Sequence, residues 1–165
     1  MSAEAVLQIL RERGFKLAVA ESLTGGALTS AFVDVPGASD VLLGGIVAYS
    51  TSLKHELLGV SRSLLEQQGA VDPEVAAQMA GGVRSKLAAK AGVDEALVVG
   101  LSTTGVAGPD SQDGKPVGTV YIAISLSGSE SVLAELFSGD RAEIRRATVI
   151  SAIEGLHQQL AGNFQ

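Results

Sequence analysis

The sequence predicts a three-layer α/β/α domain with a mostly parallel sheet and an antiparallel edge hairpin, and three observations carry that reading. Short apolar runs at Lys16 to Ala20, Leu42 to Tyr49 and Ala96 to Leu101 alternate with helical patterns, as strands buried on both faces do. Gly118 to Leu126 then places Val120, Ile122, Ile124 and Leu126 on one side. Ser131 to Phe137 follows across Ser127-Gly128-Ser129-Glu130, which reads as a hairpin. The length of 165 residues suits one domain, spanning 1–165, and leaves no room for a second catalytic unit.

The elements follow in order. Ala3 to Arg13 puts Ala5, Val6, Ile9 and Leu10 on one helical face, with Gly14 as a stop. The first strand ends in Ala20-Glu21-Ser22-Leu23-Thr24-Gly25-Gly26, and a helix begins at Ala27, so Ser22 sits at a strand-to-helix turn. Asp34 to Ser39 is a loop by its turn chemistry. After the second strand, Thr51 or Ser52 caps a short helix, Leu53 to Leu58, that Gly59 closes. Ser61 to Gln68 is another short helix. Asp72-Pro73-Glu74 combines an N-cap, an N1 proline and an acidic first turn, and starts a long helix that Gly92 stops. Ser102 to Val117 is the longest irregular stretch and is therefore a functional candidate. Asp140 with Glu143 three residues on forms an Asp variant of the capping box for the last helix, which runs to about Leu160.

Composition narrows the function. A net charge of −6 and 4% aromatic residues argue against a nucleic-acid groove, which needs clustered basic residues and stacking platforms. No apolar run approaches the ~20 residues of a membrane span. The amino terminus carries Glu4 and no basic region, so it reads as a helix and not as a secretory signal. The absence of Cys removes disulfides and thiolate chemistry and fits a reducing compartment, so a cytoplasmic protein is expected. The 20 glycines are about 12% of the chain against a usual ~7%, and suit either backbone-lined ligand sites or sharp turns.

In such sheets ligands bind beyond the carboxyl ends of the strands. Three loops follow strands here, Glu21 to Gly26, Tyr49 to Lys54 and Ser102 to Val117, and should converge on one crevice. A serine hydroxyl needs a base within hydrogen-bond reach. Lys54, in the first turn of its helix, is the sharper candidate, because desolvation and the helix dipole both lower a lysine's pKa. The alternative is a surface lysine. His157 reads as a solvated residue of the last helix, and His55 points about 100° away from Lys54. Tyr49 either relays a proton or is a core-edge tyrosine, and Thr103 and Thr104 either bind substrate or hold a turn. Arg141 and Arg145 share a helical face and either clamp an anion or pair with Asp140 and Glu143. Asp110 and Asp113 read as turn formers, with no third ligand at metal spacing. The helix start at Thr24, Gly25 and Gly26 offers backbone N–H groups to an oxyanion, and its glycines admit a ligand close to the backbone.

Taken together, Ala20-Glu21-Ser22-x-Thr24-Gly25-Gly26, Tyr49-Ser50 with Lys54, Thr104-Gly105-x-Ala107-Gly108-Pro109-Asp110 with Lys115-Pro116-Val117-Gly118-Thr119-Val120, and Phe137-x-Gly139-x-Arg141 resemble the CinA family's carboxyl-terminal domain over nearly the whole chain. The resemblance is to the form that occurs as a free-standing protein. It implies a nicotinamide-nucleotide amidase that converts nicotinamide mononucleotide to nicotinic acid mononucleotide and ammonia without metal or cofactor. By the same resemblance Ser22 is the nucleophile, Lys54 the general base and Tyr49 a helper in proton transfer. Thr104, beside Gly105, supplies a site hydroxyl, Arg141 is a substrate-binding cation, and the protein is a homo-oligomer. Many relatives carry Cys where this chain has Leu23. The nucleotide chemistry of the amino-terminal domain found in some relatives does not transfer. Two other classes compete with the enzyme: a catalytically silent nucleotide-binding domain, and an interaction module for a competence or recombination partner.

Overall fold

The computed structural model describes residues 2–162. Its elements are α1 (Ala3–Glu12), β1 (Lys16–Glu21), α2 (Ala27–Val33), β2 (Leu42–Val47), α3 (Thr51–Leu58), α4 (Arg62–Gln68), α5 (Pro73–Ala91), β3 (Val98–Gly105), β4 (Thr119–Leu126), β5 (Ser129–Leu136) and α6 (Arg141–Gly162). The five strands form one sheet in the order β2-β1-β3-β4-β5. β1 pairs in parallel with both β2 and β3, and β3-β4 and β4-β5 are antiparallel, so β4 alone runs against the rest. The α/β architecture with an antiparallel edge is the one the sequence predicts.

Alternation of side chains across the sheet builds two cores. Leu17, Val19, Val99, Leu101, Ile122 and Ile124 face α1, α2 and α6, where they meet Leu10, Leu28, Phe32, Ile144 and Leu156. Ala18, Ala20 and Val98 face the other way and meet Leu58, Leu65, Val75, Met79 and Val83 of α3, α4 and α5. The small residues on this second face let α5 lie close to the sheet. On α1 the buried face is Val6, Leu7 and Leu10, a register different from the expected one, with Ala5 and Ile9 half-buried. No helix among the described residues is long and apolar enough to cross a membrane.

The helix boundaries follow their caps. Asp72 accepts from Glu74 N–H at 2.8 Å at the start of α5, and Gly92 closes α5 in the left-handed conformation. At α6 the box is reciprocal: Asp140 N–H donates to Glu143 Oε2 and Glu143 N–H to Asp140 Oδ1, both at 2.8 Å. The cap of α3 is Ser50, one residue before the expected Thr51 or Ser52, and its hydroxyl bonds Ser52 Oγ instead of the backbone.

Several strand boundaries depart from the sequence reading, among them the start of β5 at Ser129 instead of Ser131, and one of them shapes the site. The second strand ends at Val47 and not at Tyr49. The third begins at Val98, after a single 3-10 turn at Glu95–Leu97 capped by Asp94, and continues to Gly105. Its polar carboxyl half stays in the sheet because each hydroxyl finds a buried partner. Ser102 Oγ donates to Ala76 O at 2.6 Å and Thr104 Oγ1 to Ala70 O at 2.7 Å. Residues 102–105 are thus rigid strand, and the irregular segment shrinks to residues 106–118.

Candidate active site

The carboxyl ends of β1, β2 and β3 lie at one edge of the sheet, so the turns that leave them meet in one crevice of about 310 Å3, at the small end of the range for small-molecule sites. Ser22, the first residue beyond β1, is fixed from behind by its own N–H, which donates to Thr103 O at 3.0 Å. Its hydroxyl meets Lys54, which rises from the first turn of α3 and is only 1% exposed. Lys54 Nζ lies 2.9 Å from Ser22 Oγ, 2.9 Å from Ala48 O and 3.3 Å from Tyr49 O. Burial lowers its pKa from 10.5 to about 8.

Nζ donates in all three contacts as the charged ammonium, and the same geometry serves the neutral amine formed when it loses one proton. An –NH2 group has two hydrogens and one lone pair. The carbonyls of Ala48 and Tyr49 take the two hydrogens, which leaves the lone pair aimed at the Ser22 hydroxyl. The arrangement can therefore take the proton from Ser22 without first turning the lysine side chain.

Besides Lys54, the crevice lining carries one charge of each sign, Arg141 and Asp110. Arg141, at the start of α6, donates through Nη1 to Gly108 O at 2.7 Å and through Nη2 to Tyr49 Oη at 2.9 Å, and so bridges the β2-α3 connection and the segment after β3. Tyr49 is 59% exposed, and its phenol is partnered with Arg141. Thr104, Gly105 and Asp110 line the same space. Thr104 is buried, and its hydroxyl hydrogen is committed to Ala70 O. Of the residues expected at the site, the structure brings Ser22, Lys54, Tyr49, Thr104, Gly105 and Arg141 onto this one crevice.

It does not bring Thr24, Gly25 and Gly26 there. The helix start that was to hold an oxyanion is already filled by the carboxylate of Glu21. Oε2 accepts from Gly26 N–H at 2.9 Å and Leu28 N–H at 3.0 Å, and Oε1 accepts from Thr29 N–H at 2.8 Å and Thr29 Oγ1 at 2.6 Å. Gly25 N–H donates to Ser22 O and Ala27 N–H to Thr24 O within the turn. The Thr24 hydroxyl bonds Thr103 Oγ1 at 2.8 Å in the interior. Gly25 and Gly26 have φ of +60° and +97°, so the tight turn itself requires them. Among the described residues, Leu23 N–H, immediately after Ser22 and on the crevice wall, donates to no protein group.

Other candidates fall elsewhere. Arg145 turns to the back of the Ser22 turn and donates through Nε to Leu23 O at 2.9 Å and through Nη2 to Thr24 O at 2.8 Å. His55 Nδ1 pairs with Val60 O at 2.8 Å, away from the crevice. Asp113 caps Ala70 N–H at 3.1 Å, a turn role, with a φ of +51°. Glu21 is a structural support that residue spacing does not single out, and Arg145 is one whose spacing suggested a different role. An acidic residue just ahead of a helix start was the available signal for Glu21. Spacing marks Arg145 as an anion clamp or a partner of Asp140 and Glu143, and no local signal points to the carbonyls it holds more than 120 residues away.

Known proteins are similar to this chain in sequence and in fold. A family described as the CinA C-terminal domain matches residues 1–160. A CinA-like protein of Frankia casuarinae is 46% identical over 157 residues, covering 95% of this chain and 34% of the relative. A protein of Desulforamulus reducens, named as a putative competence-damage inducible protein, is 43% identical over 159 residues, covering 96% of this chain and 37% of the relative. The chain thus spans about a third of the length of the curated relatives it matches. Among solved structures, a CinA superfamily protein of Klebsiella pneumoniae superposes with a TM-score of 0.86 at 29% identity, covering 96% of this chain and 95% of that one. One from Escherichia coli gives 0.86 at 32% identity, covering 95% and 87%. On the family match over nearly its whole length, joined by relatives and solved structures of the same kind, this chain belongs to the CinA C-terminal domain family.

Proposed function

We propose that this chain is an amidohydrolase that cleaves the carboxamide of nicotinamide mononucleotide, giving nicotinic acid mononucleotide and ammonia through a serine nucleophile and a lysine base. The single observation that carries the reading is the 2.9 Å approach of a buried, pKa-lowered Lys54 amine to Ser22 Oγ. At pH 7 a lysine of pKa about 8 is neutral in about a tenth of molecules, roughly 300-fold more than an exposed lysine.

Lys54 takes the Ser22 proton as Oγ attacks the amide carbon. The carbonyl oxygen becomes an oxyanion on the crevice wall, where the Leu23 N–H is the donor in reach. The C–N bond breaks as Lys54 returns its proton to the nitrogen, and ammonia leaves. Water then attacks the acyl-serine ester with Lys54 again as base, which releases the acid and restores Ser22. Arg141 at the mouth supplies the charge for the substrate phosphate, a local cation on a chain of net charge −6. The chemistry needs no metal: the lysine activates the nucleophile directly.

The test is ammonia release from nicotinamide mononucleotide, with the mononucleotide acid measured as co-product. The expected result is equimolar ammonia and acid, abolished in Ser22→Ala. Thermal stabilisation by the nucleotide without turnover would instead support a silent binding domain.

A further inference from the structure

We propose that Arg145 is a positioning residue which, together with Glu21, sets the Ser22 turn so that the Leu23 N–H faces the crevice as the oxyanion donor. The inference rests on the reading of Ser22 as nucleophile and deepens it by assigning the group that holds the transition-state charge.

The turn from Ser22 to Gly26 is gripped on every side but one. β3 holds Ser22 N–H through Thr103 O, and the Thr103 hydroxyl holds the Thr24 hydroxyl. The Glu21 carboxylate, fully buried, consumes Gly26, Leu28 and Thr29 N–H groups and so removes the helix start from the chemistry. Arg145 takes the carbonyls of Leu23 and Thr24 through two different nitrogens. The Leu23 N–H shares its rigid peptide plane with Ser22 O, which Gly25 N–H holds at 3.1 Å, and the two planes that follow are fixed by Arg145 through Leu23 O and Thr24 O, so the backbone on both sides of Leu23 is anchored. Among the described residues that donor is one of several unspent N–H groups on the crevice wall, Ala107 and Gly108 among them, and the one adjacent in sequence to Ser22.

The choice of arginine matters. A planar guanidinium presents Nε and Nη2 in a fixed fork that satisfies two neighbouring carbonyls at once, and a lysine ammonium reaches the same pair only as a point donor. The geometry also separates the two arginines of this helical face. Arg141 serves the mouth of the crevice and Arg145 serves the back of the turn.

The test uses the full chain and a fluorophosphonate probe, whose reaction does not depend on the amide substrate. The Ser22 Oγ–P bond forms, the P–F bond breaks, fluoride leaves, the hydroxyl proton passes to Lys54, and the phosphoryl oxygen occupies the oxyanion position. Arg145→Ala is expected to label about 100-fold more slowly, the scale of losing one oxyanion donor. The pH midpoint of labelling should be unchanged, and millimolar guanidinium should recover about tenfold. A folded Arg145→Ala that labels within threefold of the unsubstituted chain overturns the proposal, as does a loss that guanidinium leaves untouched. If Arg145→Ala melts below the assay temperature, Arg145→Lys carries the test, with a loss of at least tenfold expected and a rate within threefold overturning it. A chain that labels at Ser22 but releases no ammonia from nicotinamide mononucleotide counts against the substrate alone. A chain whose Ser22 does not label removes the nucleophile, and both readings with it.

Discussion

Glu21 and Thr29 are joined twice, Oε1 accepting from the Thr29 N–H at 2.8 Å and from its hydroxyl at 2.6 Å, so the residue before the nucleophile is tied to the first turn of the following helix. β2 passes so close to this pair that a Cβ on Gly45 would fall onto the Thr29 side chain. Four donors converge on this buried carboxyl group, three of them backbone N–H groups at the helix start.

Removing that carboxylate strips partners from three buried or half-buried N–H groups at once. Glu21→Ala is expected to cost about 3 kcal/mol or more, a fall in Tm of roughly 6–12 °C for a chain of this size. Urea and thermal unfolding check it, and a change under ~1 kcal/mol would mean that water replaces the carboxylate at the helix start.

Arg141 has two duties on the page, its bond to the Tyr49 phenol and its place at the crevice mouth, and kinetics separates them. If the guanidinium holds the substrate phosphate, Arg141→Ala raises KM for nicotinamide mononucleotide by about 10–100-fold, the worth of one charge-assisted contact. Its effect on the phosphate-free riboside should stay within about twofold. Equal losses on both substrates would assign the arginine to holding Tyr49.

The pH dependence follows from the sign of the Lys54 shift. Burial penalises the charged form and lowers the pKa to about 8, and the base is the neutral form, so kcat/KM for ammonia release rises tenfold per pH unit from about pH 6 and levels above about 8. The same shift has a stability consequence. The unfolded chain holds the lysine proton up to pH 10.5, the folded chain only to about 8, so the folded state is penalised below about 8 and the penalty is relieved as the pH rises from there toward 10.5. A rate that falls as the pH rises between 6 and 8 would assign the essential group to an acid.

The fold was legible because its signals are local. Caps at Asp72 and at Asp140 with Glu143 and the alternation in β4 each state their element within a few residues. The end of β3 was not legible: Ser102 and Thr104 look like loop residues until α5 and the segment before it are seen to supply buried carbonyls. The meeting of Ser22 and Lys54 could be anticipated, since both leave the carboxyl ends of neighbouring parallel strands. The engagement of the Gly25 and Gly26 N–H groups, expected to hold an oxyanion, was hidden for the opposite reason. A helix start advertises free N–H groups, and only the fold reveals that Glu21 has already taken them.

The central claim is that the amine beside Ser22 is deprotonated far more readily than an ordinary lysine, and its titration can be observed directly. With lysine ε-carbons labelled, the Lys54 signal, identified by its absence in Lys54→Met, is followed from pH 6 to 11 by NMR. A midpoint near 8 is expected; a midpoint near 10.5 would rule out Lys54 as the base, because an ordinary lysine is almost wholly protonated at neutral pH and cannot take the proton from Ser22.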